Sequence, residues 1–581
     1  MKDQIRQLIQ SVIEKLYPEQ KDLVFSVDYA PSNIDADFAS NAAMILAKKM
    51  GKKPMEVAEE IKSDLSAPIT GHLPSPGEKG VGVTVAVPGF LNFKLPAEAL
   101  LGNLREIIQK GEEYGLTPTK SKEKILMEYF QPNIAKPLHV GHMRSAIIGD
   151  SLFRIQKFLG AAVESDTHMG DWGTQFGLLL YAYKQWGDEA VVARDPINEL
   201  NKLYIRINAE AEKNPELHEA GKTEFVKLEQ GDKENRELWQ KFVDLSMERF
   251  LKINELLDIS RFDHHWPESF YEDKMPEVLQ RLQNAGLIKE SDGAQIVDLT
   301  PAKLGTAIIV KSDGGTTYLL RDLATFIYRK RDKGFQRQIY VVDNRQSHHF
   351  RQLFKILEML GEWQEGEGAH VDFGFMSLPE GAMSTRKGNV IELEQLVAKA
   401  IEKAKAIIAE KNSDLKNAGA VARDVAIGAL KYFDLSHNRH SDIVFTWDKA
   451  LAFEGNTGPY LQYTHARLRS ILRKAGENSP RPFLPKRGDG GEFQEEELAV
   501  LRQLMRFGDA VSSAASEMMP SVLASYQYEL ADLVNSFYHA VPVLQEKDEA
   551  ARAFRLNLVA ASAIVLKNGL GLLGIEAPEE M

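Results

Sequence analysis

Gln131-Pro-Asn-Ile-Ala-Lys-Pro-Leu-His-Val-Gly-His142 brackets a glycine with two histidines, and its flanks say where in a fold it sits. Upstream, Lys124 to Phe130 (KILMEYF) is a short apolar run of the kind that forms a buried strand. Downstream, Met143, Ile147, Ile148, Leu152 and Leu159 recur at helical spacing until Gly160 ends them. The motif therefore occupies a strand-to-helix turn. Such a turn aims free backbone N–H groups and the positive end of a helix at any anion in front of it, so a phosphate group is the expected ligand.

Working outward, strands alternate with helices from about residue 123 to 395, the pattern of a mostly parallel, Rossmann-like sheet. The predicted strands are Lys124–Phe130, Ala161–Thr167, Thr306–Lys311, Gln338–Val342 and Val371–Ser377. A charged, helix-rich stretch at about 181–294 reads as an insertion between two halves of that fold. In open parallel sheets ligands collect beyond the carboxyl ends of the strands. Residues 1–118 read as an α+β domain: an apolar helix stripe from Ile5 to Leu16, helices over 36–50 and 54–65, then strand-like alternation in Val81–Leu95 broken at Pro88-Gly89. After 396 the pattern is helical, with a connection over 396–456 and an α-helical bundle over 457–581, interrupted by a Pro/Gly-rich loop at 476–491. The fold class expected is thus multidomain α/β, with the candidate ligand site in 119–395.

Composition narrows the chemistry. At 581 residues the chain exceeds one hydrophobic core. The absence of cysteine removes thiol catalysis, thiolate metal sites and disulfides, and fits a reducing compartment. A net charge of −12 argues against a non-specific nucleic-acid binder while leaving room for a local basic groove. No apolar run reaches the roughly 20 residues of a membrane span, and the N-terminal stretch is too acidic for a targeting peptide. The expectation is a cytoplasmic monomer with no membrane and no DNA partner. Zinc is disfavoured because His139 and His142 lack a nearby third ligand, and His264-His265 and His348-His349 are not at ligand spacing.

A second cue, Met383-Ser-Thr-Arg-Lys-Gly-Asn389, follows a predicted strand and the turn Pro379-Glu-Gly381. A basic loop placed there can neutralise a departing polyphosphate. A solvated basic loop is the alternative. With EYFQPNIAKPLHVGHMRSAIIGD (128–150), GDWGTQFG (170–177), KSDGGTTYLLRDLA (311–324) and TGPYLQYTHARLRSIL (457–472), the chain resembles the class I aminoacyl-tRNA synthetases, and among them the arginyl-tRNA synthetases, over nearly its whole length.

That resemblance implies an arginine-tRNA ligase using ATP with Mg2+, with L-arginine and tRNA(Arg) as partners and no protein-bound metal. It implies that His139, His142 and Lys136 are catalytic and that His139, Gly141, His142, Met383, Ser384, Arg386 and Lys387 hold ATP. It puts Glu128, Tyr318 and Asp322 around the substrate guanidinium, with Asn133, His139 and Gln346 at the amino-acid end. Independently, Tyr318 and Asp322 are four apart and share a face if LLRDLA is helical, and paired carboxylate oxygens match a guanidinium's planar donors. The signature loop departs from the class at its first and fourth positions, where Ala382 and Thr385 stand for lysines, and Lys136 matches the substitute lysine of the arginyl enzymes. Tyr460, Gln462, Tyr463 and Arg467, with His465 and Arg469, mix aromatic, amide and basic groups suited to RNA, or form a packed amphipathic helix. GDWGTQ either borders the cleft or shapes a turn and fills a core. A class I enzyme for another cationic amino acid, a nucleotidylyltransferase, and a non-catalytic RNA-binding relative remain open as alternatives.

Overall fold

The structure, a computed structural model, describes residues 1–31, 33–65, 81–116, 123–377, 392–476 and 493–581. The signature-loop residues Met383, Ser384, Arg386 and Lys387, with Ala382 and Thr385, lie outside them, as do the linker at 118–122 and the loop at 477–491.

The chain divides into two compact units. Residues 1–111, with 536–561 and the described part of 479–506, form the first. Its sheet has strands β1 (Val27–Tyr29), β2 (Phe38–Ser40), β3 (Gly82–Ala86) and β4 (Phe90–Lys94) in the order β1-β2-β4-β3, every pair antiparallel. Helix Lys2–Leu16 buries Ile5, Ile9, Val12 and Ile13, the stripe its spacing predicts. The helix expected from residue 36 starts at Ala42 instead. Phe38 is fully buried opposite Phe93, and Ser40 Oγ accepts from the Ala42 N–H at 3.2 Å, so strand pairing claims 38–40 before the helix begins.

The second unit carries the parallel sheet: β5 (Lys124–Glu128), β6 (Ala162–Asp166), β10 (Arg337–Asp343) and β11 (Gly368–Phe373), ordered β11-β10-β5-β6. Leu126, Met127, Ile339 and Val341 are buried, as expected where both faces of a parallel sheet are covered. Between β6 and β10 lie helices spanning 174–284 and then an antiparallel meander of β7 (Ile288–Ser291), β8 (Ala294–Asp298) and β9 (Thr306–Val310).

This corrects the expectation for Thr306–Lys311, which is not a strand of the parallel sheet. Ala307 and Ile309 are buried while Ile308 is 48% exposed, the one-sided burial of an antiparallel sheet facing water. Beyond β11 the described chain is almost wholly helical, from Leu393–Lys411 to Glu549–Leu572. Among the described residues no helix is long and apolar enough to cross a membrane.

Candidate active site

At the carboxyl end of β5 the backbone enters two left-handed positions, Phe130 and Ala135, each at φ 58°, before helix Val140–Phe158 begins. His139 is its N-cap, in extended backbone, and the two histidines cap the helix reciprocally. His139 Nδ1 accepts from the Gly141 N–H at 3.1 Å, and His142 Nδ1 accepts from the His139 N–H at 3.2 Å. Because a backbone N–H can only donate, Nδ1 of each ring is unprotonated and each Nε2 carries the hydrogen. The rings lie 4.0 Å apart between centroids.

Burial, with Arg345 nearby, lowers the His139 pKa to about 4; burial, then His139 and Lys136, holds that of His142 well below the ordinary value. The corner therefore offers neutral N–H donors rather than imidazolium charge. A Cβ on Gly141 would lie 3.0 Å from His139 Cε1, so a side chain there would push the ring aside. Lys136 Nζ lies 4.5 Å above the Tyr204 ring and 3.4 Å from Gln175 Oε1 of the GDWGTQ block.

Beside this corner a cleft of about 1240 Å3 is lined by Glu128, Asn133, Tyr318, Asp322 and Gln346, among others. Asn133 and Lys136 also line a small cavity with Leu138, so Asn133 stands where corner and cleft meet. Helix Tyr318–Arg331 forms as the spacing predicts, putting Tyr318 in its first turn and Asp322 one turn on. Gln346 occupies the N-cap position of helix Ser347–Met359, just past the carboxyl end of β10, without a side-chain capping bond. Asp322 Oδ2 lies 2.6 Å from His349 Nε2.

Glu128 lines the same cleft with one of its oxygens already engaged. Its carboxylate, with that of Asp166 on the adjacent strand, is bound by the guanidinium of Arg329, which is fully buried. Glu128 thus meets a guanidinium of the protein itself through Oε2 while lining the cleft. Among the described residues Glu128, Asp166 and His168 are the one group whose ligating atoms lie close enough for a metal ion. Arg329 already places a fixed cation on both carboxylates, so a metal does not fit there.

Sequence reasoning missed the cleft's second acidic wall. Asp171 of GDWG accepts from the Ser269 N–H at 2.8 Å and from Ser269 Oγ at 2.6 Å, while the Glu268 N–H donates to the Met169 carbonyl at 3.0 Å. These bonds bring Glu268 and Glu272 to the cleft, where Arg321 pairs with them at 3.3 and 3.1 Å. Gly170 lies against Asn133, and a Cβ there would overlap Asn133 Oδ1. The GDWG segment therefore joins the histidine corner to the acidic wall. The contacts span about a hundred residues, and nothing local in the sequence signals them.

On helix Gly458–Lys474 the structure corrects one RNA-contact expectation. Gln462 is fully buried, its Nε2 donating to the carbonyls of Asp424 and Glu576 at 3.0 and 2.8 Å. His465 is buried likewise, at 3.0 Å from the Pro578 carbonyl. Both serve packing. Tyr460, Tyr463 and Arg467 are part-exposed: the Tyr460 hydroxyl accepts from Asn535 at 2.9 Å, and the Arg467 guanidinium lies 4.8 Å above the Tyr463 ring.

Comparison with known proteins bears on all three segments. The family description "tRNA synthetases class I (R), catalytic domain" matches residues 103–447, "Arginyl tRNA synthetase N terminal domain" matches 3–95 and "DALR anticodon binding domain" matches 461–581. An arginine–tRNA ligase of Streptococcus uberis is 41% identical over 577 residues, covering 99% of each chain. The chain belongs to the arginyl-tRNA synthetase family. Another relative in the family, an arginine–tRNA ligase of Halothermothrix orenii, is 42% identical over 91% of each chain. Among solved arginyl-tRNA synthetase structures, that of Thermus thermophilus matches with a TM-score of 0.82 at 28% identity over 100% of each chain. That of Plasmodium falciparum matches at 0.80 and 25% identity, covering 100% of this chain and 99% of its own.

Proposed function

We propose that the chain is an arginine-tRNA ligase, which activates L-arginine with ATP to arginyl-adenylate and transfers it to the 3′-terminal ribose of tRNA(Arg), releasing AMP and pyrophosphate. The observation carrying the choice of arginine is the cleft wall at Asp322, whose carboxylate meets an imidazole rather than a lysine or arginine. A guanidinium substrate supplies the missing cation.

In the first step the arginine carboxylate attacks the α-phosphorus of ATP, which enters as its magnesium complex, and pyrophosphate leaves. No residue becomes covalently attached, so the protein acts by placing the reactants and stabilising charge that spreads over phosphate oxygens. His139 and His142 would donate from Nε2, Gly141 from its backbone, and Lys136 would supply positive charge. Met383, Ser384, Arg386 and Lys387 are proposed to complete the grip on the triphosphate. Asn133, His139 and Gln346 would hold the amino-acid end, with Glu128, Tyr318, Asp322 and Glu268 around the guanidinium. Tyr460, Tyr463 and Arg467 are proposed RNA contacts, within a helical anticodon-binding region over 457–581; residues 1–118 would form a second tRNA contact. A cytoplasmic monomer is the proposed acting species.

The test is to incubate the purified chain with ATP, tRNA and each amino acid in turn and to count labelled amino acid on tRNA. Arginine alone is expected to be attached; attachment of lysine, or of nothing while other enzymes charge the same tRNA, would refute the reading.

Glu268 gives the reaction a pH dependence. Burial pushes its carboxyl up to about 7, against Arg321 and His168, with Asp322 and Asp171 adding to the rise. Arginine remains cationic across this range and favours ionised Glu268, so binding strengthens as pH rises through the group's pKa. The arginine KM should fall about tenfold between pH 6 and pH 8, following the ionised fraction. In Glu268→Gln the KM should be higher and the profile flat, and a profile unchanged by this substitution would remove Glu268 from the site.

A further inference from the structure

Asp322 and His349 come from different helices and meet in the cleft wall. The bond between them, 2.6 Å from Nε2 to Oδ2, is short even for a charge-assisted one. An ionised carboxylate only accepts, so Nε2 is the donor. The imidazole is itself well placed: it is 8% exposed, its ring centroid 4.8 Å from that of Tyr318 and 5.5 Å from that of Phe350. Its helix is anchored by buried Phe350, Leu353, Ile356 and Leu357. The position of His349 is therefore set by the core, whereas the terminal torsion of an aspartate is soft. The imidazole fixes the carboxylate plane, not the reverse.

The other carboxylates of the inner wall show what this arrangement avoids. Glu128 is bound by Arg329, and Glu268 and Glu272 by Arg321, each time by a full positive charge carrying several donors. An imidazole donates a single hydrogen. It engages Oδ2 and leaves Oδ1, with the carboxylate's charge, to the cleft.

We propose that His349 is a positioning residue for amino-acid selection, holding Asp322 through Oδ2 so that Oδ1 meets the substrate guanidinium in a fixed plane. This rests on the reading of the cleft as the arginine site. A fixed plane suits the planar donors of a guanidinium more than the rotatable donors of an ammonium.

The test is tRNA-charging kinetics with the full chain, comparing H349L, H349Q, D322N and the D322N/H349L double variant. H349L should raise the arginine KM about 10- to 100-fold, the effect of losing a hydrogen bond to a charged group, and leave the ATP KM within about twofold. H349Q, whose amide nitrogen reaches about where Nε2 stands, should return the arginine KM to within about threefold of the parent. The double variant should be no worse than D322N alone, since residues acting through one another are non-additive. If H349L does not fold, H349N takes its place: its shorter amide cannot reach Asp322 and must lose what H349Q retains. A D322N effect without an H349L effect would overturn the positioning role and leave the cleft reading intact. Failure of D322N to move the arginine KM would overturn the cleft reading itself. Equal rises in both KM values that H349Q does not relieve would make His349 a packing residue and defeat the proposal.

Discussion

Asp322→Asn should raise the KM for arginine by about 10²- to 10³-fold while moving that for ATP by less than about threefold, because the substitution removes from the cleft a charge that would face the arginine side chain and not the nucleotide. Burial raises the Asp322 pKa, but the His349 hydrogen bond, then the charges of His349, His168 and Arg321, bring it below its ordinary value. The side chain is thus ionised at neutral pH. Asparagine keeps the shape but must place its amide oxygen toward the His349 Nε2–H, which turns its NH2 group into the cleft. Donor then faces donor across the space the guanidinium would fill. Loss of the charge pair together with this mismatch accounts for about 3–4 kcal/mol, within the usual range for unpairing a desolvated ion. Steady-state charging at varied arginine and then varied ATP measures both constants. A parallel rise in the two would mean that Asp322 supports the fold of the cleft and does not select the side chain.

The features legible in the sequence were those that chain neighbours determine. The histidine corner could be placed because a buried strand and a helical repeat flank it directly. The shared face of Tyr318 and Asp322 followed from helical spacing alone. Illegible were the pairings made across the fold. Glu128 has the residue type of a guanidinium ligand, and nothing near it in the chain shows that Arg329, 201 residues away, already engages one of its oxygens. Glu268 carries no local mark, since Asp171 and Met169 bring it to the cleft from about a hundred residues away. Thr306–Val310 has the composition of a central strand, and only its partner strand reveals that one face meets water. Gln462 has the residue type of an RNA contact and the burial of a core amide, and burial is set by the C-terminal segment that covers it.

Arg329→Met, on the helix Tyr318–Arg331 that packs its guanidinium against the parallel sheet, should be strongly destabilising. The arginine and Asp166 are fully buried and Glu128 is nearly so, with Asp166 and Glu128 paired in register on adjacent strands. Two carboxylates side by side in an apolar interior repel one another, and each has lost its hydration. Arg329 answers both with separate N–H groups, and its Nε donates to the Tyr271 hydroxyl at 3.2 Å. Methionine fills part of the volume and answers neither, so about 3–5 kcal/mol should be lost, the usual result of removing one partner from a buried ion pair. Intrinsic tryptophan fluorescence during urea unfolding reports the change, since the Trp266 backbone N–H donates to Asp166 at 2.9 Å. The decisive control is E128Q/D166N/R329M, which removes the stranded charges together with the arginine. If the cost arises from unpaired carboxylates, this triple variant should unfold at a higher urea concentration than R329M alone; if both unfold together, the loss comes from the packing of the arginine stem.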